Sequence, residues 1–215
     1  TGCTAHGVCG KDPETAALQD LLVRASKDIS RYAHRARKLG VRDRDVDVFI
    51  IEALFTTVTN VNFDPERIQG VLKRAVEVRD RAAELYENAC RKAGQQPEDL
   101  AGPVEWADAV DDLDALIELG ESVTIQNRLE NLGEDVTGLQ ELLTYGLKGT
   151  AAYADHAQIL GQEDDDVYAF FHEALDYLAG KPADIDDLLG MCLRCGEVNL
   201  KVMGLLDAAN TGAYG

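Results

Sequence analysis

LQDLLVRASKDISRYAHRARKLG, residues 18–40, returns at residues 139–161 as LQELLTYGLKGTAAYADHAQILG. Leu18, Gln19, Leu21, Leu22, Lys27, Tyr32, Ala33, Ala36, Leu39 and Gly40 all recur at a spacing of 121. The register holds beyond the quoted stretch. Val46, Phe49, Glu52, Ala53 and Leu54 meet Val167, Phe170, Glu173, Ala174 and Leu175. One residue out of step, Arg74, Glu77, Val78 and Leu85 meet Arg194, Glu197, Val198 and Leu205. A long unit used twice governs every other reading of such a chain.

Helix punctuation sets the size of the unit. Asp12-Pro13-Glu14 offers an N-cap, a proline at the first helical position and an early acid. Apolar residues then recur at helical spacing to Leu39, and Gly40, like Gly161, is a natural stop. A second helix is expected over about 45–59. Asp64-Pro65-Glu66 opens a third, which Gly94 closes. The second unit is expected to place helices over roughly 135–160, 164–179 and 184–209. No useful alternation of apolar and polar residues argues for strands. The expected class is all-α: two repeated three-helix bundles at 13–94 and 135–215, preceded by a cysteine-bearing loop at 1–12. The linker at 95–134 is expected to carry one acidic helix over 104–119.

Composition narrows the function. The chain has 215 residues, 46% hydrophobic and 6% aromatic, with a formal net charge of −18. That balance disfavours nucleic acid, whose phosphates need clustered Lys and Arg. It suits a solvated helical surface, or docking to a basic partner. No apolar run is long enough to cross a bilayer. The five cysteines, Cys3, Cys9, Cys90, Cys192 and Cys195, are unevenly spread, unlike a secreted disulfide framework. A reducing cytoplasm is expected. Lys27 with Lys148, and Glu52 with Glu173, are equivalent positions. Such a twice-used pair suits an ion pair between the first two helices of each unit. The plainer reading leaves all four as solvated charges.

The opening TGCTAHGVCGKDPETAALQDLL places Cys3 and Cys9 in a glycine-rich stretch. Small residues there let main-chain N–H groups approach a ligand. Iron–sulfur clusters are held by thiolates, usually four per cluster. Two free loop thiols, or a disulfide across the short gap, are the plainer readings of the pair. The segment resembles the N-terminal region of the hybrid cluster protein family, the hydroxylamine reductases. The resemblance continues in TNVNFD at 59–64, in LQELLTYGLKGTAAYADHA at 139–157 and in CGEVNLKVMGLLDAANTG at 195–212. It implies that Cys3 and Cys9 are the second of two cysteine pairs holding an electron-entry [4Fe–4S] cluster. Two of four ligands would then lie in this chain and the first pair ahead of Thr1. A branch of the family with a longer gap carries a [2Fe–2S] cluster instead.

The resemblance further implies that the sequence continues into two α/β domains holding a hybrid iron–sulfur–oxygen cluster. The implied activity is reduction of hydroxylamine to ammonia, or of nitric oxide to nitrous oxide, with electrons from a donor protein. These 215 residues alone are then expected to be inactive and unable to retain a cubane. A carbon monoxide dehydrogenase relative and a cofactor-free acidic helical scaffold are the rival readings.

Other candidates are weaker. Cys192 and Cys195 form a C-x2-C on what reads as a helix, with no second pair nearby to complete a zinc site. They read as small buried packing residues, and Cys90 as a bystander. His6 reads as a loop histidine. His34, His156 and His172 fall in expected helices and lack the E-x2-H spacing of di-iron bundles. No phosphate-binding loop, dinucleotide fingerprint or serine nucleophile motif occurs.

Overall fold

The computed structural model describes residues 10–59, 61–100 and 105–215. Among them the secondary structure is all helical. The helices are α1 (Pro13–Lys38), α2 (Arg44–Thr56), α3 (Pro65–Ala93), α4 (Glu105–Asp108), α5 (Leu113–Ser122), α6 (Ile125–Leu132), α7 (Glu134–Ile159), α8 (Asp165–Ala179) and α9 (Ile185–Tyr214).

The repeat reappears in the capping chemistry. Asp43 accepts from the N–H groups of Asp45 and Val46 to start α2, and Asp164 accepts from Asp166 and Val167 to start α8. Asp64 and Asp184 do the same for α3 and α9. Gly40 (φ 76°) and Gly161 (φ 81°) take the left-handed conformation after α1 and α7. The next residues then donate back to Ala36 and Ala157, as a Schellman turn requires. Gln19 donates to the Asn62 carbonyl at 2.9 Å, and its equivalent Gln140 to the Pro182 carbonyl at 2.8 Å. Each glutamine thus ties the first helix of its unit to the loop before the third.

Helix α1 packs along α3, and α7 along α9. The middle helices do not stay at home. α8 packs chiefly on α1, and α2 more on α7 than on either helix of its own unit. The exchange is reciprocal, and one hydrophobic cluster runs through both units, from Leu18 and Phe49 to Phe171 and Val202. The segments 13–94 and 135–215 therefore share a core rather than enclosing one each.

The seam between them is also polar. Arg35 pairs with Asp176 at 2.7 Å. Arg37 pairs with Asp47 at 2.6 Å and with Asp165 at 2.8 Å. Arg44 pairs with Glu163 at 2.6 Å.

Two expectations need correction. The linker holds three short helices, α4 to α6, instead of one over 104–119. Asp112 accepts from the Ala115 N–H and starts α5 afresh, which divides the expected helix. The third helix of the second unit runs on to Tyr214 instead of 209, passing through Asn210 and Gly212 without ending there.

Candidate functional site

Cys3, Cys9 and His6 lie outside the described residues. The described residues begin just after them, at Gly10, and lead directly into α1. Asp12 Oδ1 accepts from the Thr15 N–H at 2.6 Å, and Oδ2 from the Thr15 hydroxyl at 3.0 Å. The first of these bonds holds the Asp12 carboxyl below its usual range. Lys11 donates to the Gln19 side chain, so the chain enters α1 tied down on two sides.

The remaining cysteines are packing groups. Cys90 and Cys195 are buried and Cys192 is half-buried, all as free thiols. Cys192 donates to the Leu139 carbonyl at 3.6 Å. Cys195 sits against Gly146, where an added Cβ would lie 3.0 Å from its sulfur. Burial pushes both thiols up, away from the thiolate that metals and electrophiles need. Among the described residues no group of three His, Cys, Asp or Glu side chains is placed to hold a metal ion.

The histidines divide. His156 is exposed, with its ring edge toward Phe55. His34 is half-buried, and burial lowers its pKa. His172 is fully buried at the seam. Asp47 Oδ1 accepts from its Nε2 at 2.8 Å, and Ser30 Oγ lies 3.1 Å from its Nδ1. This is the order of a hydrolase triad, yet serine and imidazole are inaccessible and neither lines the two cavities described below. The arrangement joins α1, α2 and α8. Breaking such a buried pair typically costs about 3–5 kcal/mol.

The repeated charges are placed differently from the expectation. Glu52 bonds Arg74 at 2.6 Å and Glu173 bonds Arg194 at 2.7 Å, so neither glutamate pairs with its lysine. Arg74 also lies over the Phe49 ring at 5.1 Å and Arg194 over Phe170 at 5.3 Å, the same cation–π contact made twice. Lys27 and Lys148 are not solvated either. They line a cavity of about 400 Å³ between α1, α7 and the linker helices. Asp20 and Glu141, themselves equivalent positions, line it too. Identity matching hides that second pair because the carboxylate is kept while the residue changes. Burial pushes Asp20 up to about 6 and Lys27 down to about 8. Burial lowers Lys148 as well.

A second cavity, about 430 Å³, is a groove between α7 and α9 lined by Leu142, Tyr153, Leu189, Leu193, Cys192 and Cys195. Of these, Leu142 and Leu193 are more than half exposed. Among the described residues no helix is long and apolar enough to cross a membrane.

The described fold is all helical, and comparison with known proteins supplies the class. The Prismane/CO dehydrogenase family matches residues 1–215, and the chain belongs to it. It is 52% identical over 213 residues to a hydroxylamine reductase of Rhodospirillum rubrum, covering 99% of this chain and 39% of that protein. It is 49% identical over 215 residues to the hydroxylamine reductase of Acidithiobacillus ferrooxidans, covering 100% of this chain and 38% of that one. It is 45% identical over 216 residues to that of Geobacter sulfurreducens, with 100% and 39% covered. The chain thus spans about two fifths of the length of these curated relatives.

Proposed function

We propose that this chain is the helical N-terminal domain of a hydroxylamine reductase of the hybrid cluster type. The observation that carries the reading is the 52% identity to a protein of that name, sustained over 99% of the chain. The reaction takes two electrons and two protons to convert hydroxylamine into ammonia and water. With nitric oxide as the acceptor, two molecules, two electrons and two protons give nitrous oxide and water.

In this reading Cys3 and Cys9 supply two of the thiolates that hold an iron–sulfur cluster, a [4Fe–4S] cubane, where electrons enter from a donor protein. The cluster supplies one-electron transfer. The residues of this chain supply its mounting. Asp12 and Lys11 fix the entry to α1, and the shared core of the two units holds that helix still. Substrate reduction belongs to the α/β domains that make up the rest of the protein. The exposed apolar groove between α7 and α9 suits packing against them. The protein acts in the cytoplasm.

The test uses the full reading frame that contains this chain. Purified without oxygen, it should oxidise a reduced dye in the presence of hydroxylamine and contain cluster iron and sulfide. Cys3→Ala and Cys9→Ala should each lose the cubane's spectroscopic signal and slow dye-driven turnover. A protein that turns over neither hydroxylamine nor nitric oxide would overturn the activity. Unchanged iron and sulfide in both variants would overturn the ligand assignment.

A further inference from the structure

The cavity between α1 and α7 has a composition at odds with the molecule around it. The chain carries a formal charge of −18. Yet the cavity is lined by Arg24, Lys27, Arg31, Arg128, Lys148 and Lys181 against Asp20, Asp28 and Glu141. Two of the six cations are already matched: Arg24 pairs with Asp28 at 3.3 Å and Arg128 with Glu141 at 2.6 Å. Lys148 is more than nine-tenths buried, and among the described residues no carboxylate lies within ion-pair distance of it. Its ammonium lies over the Tyr145 ring at 5.3 Å, with Asp20 and Glu141 as more distant opposing charges. Lys27 likewise has no carboxylate within ion-pair distance among the described residues.

A second feature points the same way. Helix α6 begins at the cavity wall, where its N-cap residue Thr124 and Asn127 and Arg128 of its first turn line the space. Thr124 makes no capping hydrogen bond. The first N–H groups of α6 therefore lack the side-chain acceptor found at the starts of α1, α2, α3, α5, α8 and α9. An uncapped helix start carries partial positive charge and free donors. Two ammoniums without an ion-pair partner among the described residues, Lys148 buried and Lys27 half-buried, line the same space and complete a site suited to negative charge.

We propose that this cavity binds a small polyanion bearing phosphate or carboxylate groups, held by Lys27 and Lys148 from the two equivalent helices and by the first turn of α6. The volume, about 400 Å³, is that of a metabolite-sized pocket. The site is formed wholly by described residues of this chain, so it stands or falls independently of the iron–sulfur reading.

Inorganic phosphate and citrate, titrated separately by calorimetry and thermal unfolding into the protein expressed from the full reading frame that contains this chain, test it. Ionic strength is held constant with chloride. One or both should bind saturably and raise the melting temperature. Their ranking tells phosphate from carboxylate chemistry. Lys27→Met with Lys148→Met should weaken binding at least about tenfold. Asp20→Asn removes a carboxylate from the wall and should tighten binding about two- to tenfold, a gain that misfolding does not mimic. No saturable response to either anion beyond chloride would overturn the proposal. So would equal affinity in the double lysine variant, or no tightening in Asp20→Asn.

Discussion

Lys27 shows how a residue's meaning changes with its surroundings. In the sequence it is one half of a repeated lysine. In the fold its amine is buried beside Arg128 and Arg24, with Glu141 and Asp20 opposing them, and burial is the main reason its pKa falls to about 8. The folded value lies below that of an unfolded lysine, about 10.4. Neutral Lys27 therefore favours the folded chain at high pH. That contribution is lost as pH falls from about 10.4 through 8, leaving a buried ammonium at neutrality. Lys27→Met should stabilise the chain relative to wild type most below pH 8, and progressively less as pH approaches 10.4. Urea unfolding at pH 7 and pH 10 measures this, and a pH-independent difference would contradict it. The sequence could show that Lys27 and Lys148 were used twice. It could not show why, because the reason is the meeting of α1 and α7 across one cavity. The glutamates are a similar case: Arg74 and Arg194 both stood in the repeat, but only the packing of α3 and α9 reveals them as the partners of Glu52 and Glu173.

Among elements, α5 approaches α1 closely at one glycine. A Cβ on Gly120 would sit 2.3 Å from the Ala17 carbonyl oxygen of α1, a contact that backbone must move to relieve. Gly120→Ala should therefore destabilise the chain by about 1–3 kcal/mol through overpacking. Gly138 is the contrasting case. It lies inside α7 with open space where a Cβ would go, so Gly138→Ala should stabilise by about 0.5–1 kcal/mol. Denaturant midpoints of the two variants should move in opposite directions. The long helices were legible because their starts and stops are written locally. Asp-Pro-Glu at 12–14 and 64–66, and glycines 40, 94 and 161, act through bonds to residues only a few positions away. The linker was less legible, since an acidic stretch reads as one helix until Asp112 is seen to cap a new one.

At the scale of the whole molecule, apolar periodicity announces that each helix has a stripe to bury, but not which partner covers it. That is why two bundles were the natural reading and a shared core the outcome. Neither half should then stand alone. Residues 1–133 lack α8, which covers α1, and residues 134–215 lack α2, which covers α7. Expressed separately, each should show shallow, non-cooperative thermal unfolding by circular dichroism. Mixed, they should recover a single cooperative transition. Two halves that each unfold sharply unaided would show that the exchange contributes little.

The contact between Ser30 and His172 spans 142 residues of chain. Helical proteins mostly join near neighbours and fold quickly, but this one must wait for a distant partner. At a ribosomal pace of about 5–20 residues per second, α1 emerges roughly 7–30 s before the helix that shields it. For that interval the stripe of α1 that belongs under α8 stays bare on the nascent polypeptide, an opening for a chaperone and a hazard without one.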